Sequence, residues 1–208
     1  MERFNGSSSC RCVFAGLLIL LVLFISCNPK PCSAARVLNP GTTNTEFIKT
    51  SCDTTMYPKL CISSLSGYAS AIQTDPKLLA DAALNVSLTN ARSTSTMMTE
   101  LSRSHGMKPR EAAAMQDCVE TVGDSVDELQ RSMAEMGHLG GPNLAFQISN
   151  IQTWVSAALT NEDTCMDGFA GKAVDGSIKT TVRARILNLA QLTSNALSFI
   201  NGLVKTSP

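Results

Sequence analysis

From Met115 to Met136 the apolar residues Met115, Val119, Val122, Val126, Leu129, Met133 and Met136 follow one another in alternating steps of four and three. An α-helix with that rhythm sets a continuous apolar stripe against a neighbour, whereas a strand repeats every two residues and cannot satisfy it. Asp117, Glu120, Asp124, Asp127, Glu128 and Arg131 take the opposite positions. The segment is therefore expected to be a helix with Val126 and Leu129 inside and Asp124 and Glu128 in water. Gly123 interrupts it at a cost of up to about 1 kcal/mol relative to Ala, which suggests close approach of a neighbour.

The same rhythm recurs on both sides. Downstream, Gly137 to Gly141 forms a stop and Pro142 a start, and Leu144, Ile148, Ile151, Val155 and Ala158 step by four and three. Ser177 can cap a last helix with the stripe Ile178, Val182, Ile186, Leu189, Thr193, Leu197, Ile200 and Val204. Upstream, Asp75-Pro76 is an N-cap followed by proline at the first helical position. It opens a helix running to about His105-Gly106, with Leu79, Ala83, Val86, Asn90, Met97 and Leu101 inward and Asp81, Asn85, Thr89, Arg92 and Thr96 outward. Four long amphipathic helices joined by short turns imply an all-α, up-down-up-down four-helix bundle over 74–208. Residues 36–73 precede it as an extension and a helical hairpin: a short helix opened by a Thr43 to Glu46 capping box, a break at Pro58, and a second helix over about Lys59 to Ala71.

Residues 1–35 read as a signal peptide outside the fold. Val13 to Ile25 is an apolar run of 13 residues, too short for a bilayer that needs about 20, and Ser33, Ala34 and Ala35 supply a small-residue cleavage site after Ala35. Its removal takes Cys10, Cys12, Cys27 and Cys32 with it, and leaves Cys52, Cys61, Cys118 and Cys165 of the original eight. Four cysteines in a secreted domain imply two disulfides, with three possible pairings. A zinc site is the weaker alternative, because no histidine lies near any of them. Bundle geometry selects among the pairings. Cys118 lies roughly 22 residues before the turn near residue 140 and Cys165 roughly 25 after it, so in antiparallel helices rising about 1.5 Å per residue the two thiols are nearly level. Cys52 and Cys61 are then left to staple the hairpin.

Charge and site chemistry exclude several functions. Removing Arg3, Arg11, Lys30 and Glu2 from 17 basic and 17 acidic residues leaves 14 and 16, no footprint for a nucleic acid. His105 and His138 fall in consecutive turns, at opposite ends of a bundle, and cannot share a metal or a triad. No serine has a nucleophile-elbow context and no glycine-rich loop opens a helix to hold a phosphate. Nothing points to an enzyme, a cofactor or a metal. Met107, Met115, Met133 and Met136 suit core filling better than an adaptable groove. Asn85-Val86-Ser87 is a glycosylation sequon in the mature chain.

Several stretches carry a resemblance. Phe47-Ile48-Lys49-Thr50-Ser51-Cys52 pairs with Thr55-Met56-Tyr57-Pro58-Lys59-Leu60-Cys61; Ala113, Met115, Asp117 and Cys118 precede Glu120, Asp124, Asp127 and Leu129; Trp154 to Thr160 runs toward Thr164 to Gly168; and Leu192-Thr193-Ser194-Asn195-Ala196-Leu197 closes the last helix. Over about residues 44–204 the chain resembles the plant invertase/pectin methylesterase inhibitor family, most closely its pectin methylesterase inhibitor branch. The resemblance implies a free-standing apoplastic inhibitor, secreted into the cell wall without a stable membrane anchor, that lies across the substrate cleft of pectin methylesterase. The alternatives are an inhibitor of invertase with the same fold and a secreted helical carrier of apolar ligands, which needs a large internal cavity. The face expected to meet a partner enzyme combines Glu120, Asp124 and Asp127 with Thr164 and Asp167, pinned beside them by Cys118 and Cys165.

Overall fold

The structure, a computed structural model, describes residues 40–170 and 176–206; the signal peptide expected at 1–35 lies outside the described residues. Three short helices come first: α1 (Pro40–Cys52), α2 (Pro58–Leu65) and α3 (Ala69–Ile72). Four long ones follow: α4 (Pro76–Ser102), α5 (Pro109–Gly137), α6 (Leu144–Gly168) and α7 (Ser177–Thr206). Each long helix packs on the next and α7 closes the ring against α4, the up-down-up-down arrangement that short turns impose.

Helix ends follow local chemistry. Asp75 Oδ1 accepts hydrogen bonds from the Lys77 and Leu78 amides at 2.7 and 3.3 Å, and Pro76 occupies the first helical position, where its missing N–H costs nothing. Pro109 does the same for α5, while the Glu111 carboxylate accepts from the Lys108 amide at 3.4 Å. At the α5–α6 turn Gly140 has φ 154°, a conformation reserved for glycine. Gln147 ties that turn, accepting from the Gly140 amide and donating to the His138 carbonyl, each at 3.0 Å.

Several boundaries and phases differ from the sequence expectations. The first helix begins at Pro40, so Thr43 lies inside it rather than capping it. The helix expected over Lys59 to Ala71 is broken by a 3-10 turn at Ser66–Tyr68, where Gly67 weakens helical continuity. In α4 Leu79 and Ala83 are buried as expected, but the buried line continues through Ala80, Leu84, Ser87, Ala91, Thr94 and Met98, while Val86, Asn90, Met97 and Leu101 are half-buried, as is Asp81 on the side expected to face water. Small and hydroxylated residues share that buried line, so hydrophobicity alone misplaces the C-terminal part of the stripe. Val126 is half-buried beside a seam of Cys118, Val122, Ser125, Leu129 and Ser132, and Glu128 is half-buried rather than in water. Val204 is 51% exposed, and Leu203 takes its place in the core. A Cβ on Gly123 would meet nothing within 4 Å, so no neighbour approaches closely there. Met115 and Met136 are buried and Met107 and Met133 pack against the core, as filling requires.

The hairpin is more than an appendage. Ile48, Cys52, Cys61, Leu65 and Ile72 belong to the same apolar cluster as Leu79, Leu84, Phe199 and Ile200 of the bundle. Asn195 of α7 clamps it. Its side-chain amide accepts from the Tyr57 N–H at 3.2 Å and donates to the Tyr57 carbonyl at 3.1 Å. The clamp explains why an asparagine stands at a buried position between Leu192 and Leu197.

Candidate functional site on the α5 and α6 helices

Two disulfides form, Cys52–Cys61 and Cys118–Cys165, with Cα atoms 5.6 and 4.6 Å apart. The second fixes the register of α5 against α6, and two further contacts repeat it. A Cβ on Gly168 would lie 3.7 Å from Ala114 Cβ, and the Ser125 hydroxyl lies 3.1 Å from the Ala158 carbonyl it can donate to. Each step forward along α5 is therefore matched by an equal step back along α6.

Glu120, Asp124 and Asp127 are all exposed and, stepping by four and three, share one stripe of α5. Thr164 and Asp167 are exposed one turn apart on α6. The register places Glu120, Thr164 and Asp167 within about a turn of the disulfide. Asp124 and Asp127 extend the stripe about 9 and 13 Å beyond Cys118 along the helix. Thr164 Oγ1 donates to the Thr160 carbonyl at 2.7 Å, so toward a partner its hydroxyl is an acceptor. Asp127 Oδ1 accepts from Gln130 Nε2 at 3.5 Å, a loose contact that leaves its lone pairs available. The patch is an array of acceptors on two helices locked together by a covalent bond. It suits recognition of donor-rich or basic protein surface.

His105 and His138 are exposed in the turns at the two ends of α5. Among the described residues no group of three His, Cys, Asp or Glu side chains could hold a metal ion, and no helix is long and apolar enough to cross a membrane.

The sequence pattern of the family described as plant invertase/pectin methylesterase inhibitor matches residues 46–199. The chain belongs to that family. Family relatives include a "21 kDa protein" of Daucus carota, 52% identical over 75% of this chain and 82% of its own. Pectinesterase inhibitor 11 of Arabidopsis thaliana is 45% identical over 90% of this chain and 95% of its own. A crystal structure of a mutant form of an Arabidopsis pectin methylesterase inhibitor superposes with a TM-score of 0.60 at 22% identity, covering 74% of this chain and 95% of that one. At that identity the likeness speaks for the fold.

Two buried residues escaped the sequence reading of this family member. Glu162 continues the α6 seam, four residues after Ala158 and three before Cys165, and is fully buried. The signal was present in the spacing, but a carboxylate on a helix is ordinarily assigned to water. Asn195 carries no local signal of burial, because its partner lies 138 residues away.

Proposed function

We propose that the chain is a secreted inhibitor of pectin methylesterase in the plant cell wall, acting by laying its α5–α6 face across the enzyme's substrate cleft. The observation that carries this is 45% identity with pectinesterase inhibitor 11 over 90% of the chain, with none of the functional-group constellations an enzyme needs in the sequence. The exposed acceptor stripe supports the face. Two helices joined by a disulfide need little ordering on docking, so more of the contact energy appears as affinity. Pectin methylesterase is favoured over invertase because this and other similar curated relatives carry the name pectinesterase inhibitor. A carrier role finds no support in seams filled by Leu84, Met98, Met115, Leu129, Ile151 and Ile186.

Asn85 is exposed on α4 and is proposed to carry the glycan. Ser87 of the sequon is buried, its hydroxyl donating to the Ala83 carbonyl at 3.0 Å, so attachment has to precede formation of the helix.

Inhibition of purified pectin methylesterase and acid invertase, measured side by side, tests the target; equal or stronger inhibition of invertase overturns it. Charge-neutral substitution of Glu120, Asp124, Asp127 and Asp167 tests the face. The substituted chain is expected to lose at least tenfold in affinity, about 1.4 kcal/mol. Carboxylates bound as anions to donors lose affinity as pH falls toward about 4, whereas carboxylates set against enzyme carboxylates gain it by sharing a proton. Unchanged inhibition at every pH removes this face from the mechanism.

A further inference from the structure

The bundle core is divided. One apolar cluster runs through Leu84, Leu129, Val155 and Leu189, and the other through Met98, Val122, Cys165 and Ile186. On α4, α5 and α6 the seam position between the two clusters is polar: Thr94, Ser125 and Glu162, all buried. Thr193 of α7, also buried, meets this layer.

Glu162 is 0% exposed. Its Oε1 lies 3.0 Å from Thr193 Oγ1, and that hydroxyl lies 3.1 Å from the Leu189 carbonyl as well. A hydroxyl has one proton and cannot donate to both. With the Thr193 proton on the Leu189 carbonyl, the usual bond of a helical threonine, the contact with Glu162 needs a proton on the carboxyl. Glu162 Oε2 is buried with no hydrogen-bond partner. An uncharged carbonyl tolerates that position far better than half of a carboxylate.

Among the described residues no cation pairs with Glu162. Between Ile186 and Val204, α7 has no Asp, Glu, Lys, Arg or His. Helix α5 carries Asp117, Glu120 and Asp124, all exposed, and half-buried Glu128, which Arg131 approaches at 3.5 Å. On α4 the nearest charged side chains flanking Thr94 are Arg92 and Glu100, both exposed. On α6 Asp163 is exposed beside Glu162. Burial pushes the Glu162 carboxyl up to about 8 and Asp163 adds to it; only a proton donated by Thr193 to the carboxylate would act the other way, and that proton is held by the Leu189 carbonyl.

We propose that Glu162 is a proton sensor built into the bundle core: as a neutral acid it ties α6 to α7, and its ionisation loosens the α6 turn that carries Thr164 and Asp167. The sensor stands on the geometry of the chain alone; only its consequence for inhibition rests on the function proposed above. The direction follows from linkage. An unfolded glutamate releases its proton near pH 4.3, while the folded one keeps it to about 8. The Glu162 contribution to stability is therefore fully present below the unfolded value, falls as pH rises between those values and levels off above them. An acidic wall would hold the inhibitor in its tight form.

The test uses the full mature chain and Glu162→Gln, which keeps the size and lets the amide donate to Thr193. Infrared spectra at about pH 6 should show a protonated buried carboxyl that Glu162→Gln lacks. The melting temperature of the parent chain should fall by at least about 5 °C more than that of Glu162→Gln between about pH 5 and pH 8. Equal falls in the two chains, or a parent chain with no protonated carboxyl at pH 6, overturn the sensor. Should Glu162→Gln fail to fold, infrared titration of the parent decides alone. Loss of inhibition toward neutral pH in the parent but not in Glu162→Gln supports the link to the docking face, and identical inhibition profiles overturn that link. A chain that passes the infrared and melting tests yet inhibits no pectin methylesterase at any pH refutes the proposed function and leaves the sensor standing.

Discussion

Replacing Asn195 by Ala asks whether the hairpin is held by packing or by its polar clamp. Asn195 is 3% exposed, and its amide makes both bonds to the Tyr57 backbone. The two losses are unequal. The Tyr57 carbonyl keeps a second partner, the Cys61 amide at 3.0 Å, so on that side one ordinary bond disappears, worth about 1 kcal/mol. The Tyr57 N–H precedes the first turn of α2 and has no other hydrogen-bond acceptor among the described contacts, so it becomes a half-buried orphan at a cost of about 1–2 kcal/mol. Asn195→Ala should therefore destabilise by about 2–3 kcal/mol in urea unfolding, because the hairpin shares its apolar cluster with the bundle and cannot detach freely. Hydrogen exchange should show the loss concentrated in α1 and α2, ahead of the α5–α6 pair. Asn195→Asp separates the two roles: it retains an acceptor for the Tyr57 N–H but turns an oxygen toward the Tyr57 carbonyl, and should be no better than alanine. A change below about 0.5 kcal/mol in Asn195→Ala would refute the clamp and leave apolar burial as what holds the hairpin.

Two further perturbations follow from the register and the seam. Exchanging Cys118 and Cys165 together for Ala releases a loop of sequence separation 47, against 9 for Cys52 and Cys61. Loop entropy gives costs of about 4 and about 2.6 kcal/mol, and calorimetry of the two double variants should preserve that order. Gly123→Ala should raise stability by about 0.5–1 kcal/mol in urea unfolding, because the added methyl group meets open space and removes the helix penalty of glycine; destabilisation would mean that a neighbour does press on α5 there.

The sequence by itself determined the four long helices, their order, the Asp75 start and the pairing of Cys118 with Cys165. These depend on chain-local spacing, on caps, and on the one arithmetic that an antiparallel turn imposes. The exposed stripe of Glu120, Asp124 and Asp127 was legible for the same reason, since these carboxylates lie farthest round the helix from the seam, whereas Glu128, nearer its edge, is half-buried. Only tertiary structure decided what happens where polar residues stand inside. Thr94, Ser125 and Glu162 sit on seams because their neighbours are supplied by other helices, and Thr193 is a partner for Glu162 only once α6 and α7 are side by side. The phase of α4 belongs here too: Ser87 and Ala91 are buried by neighbours from other elements, and small or hydroxylated side chains carry no hydrophobic signal of that burial. Asn195 and Tyr57 are 138 residues apart, and no local pattern encodes a bond across that distance. Spacing within one helix tells which side faces inward, but whether a buried carboxyl is satisfied, charged or neutral is settled by the atoms that the other three helices bring to it.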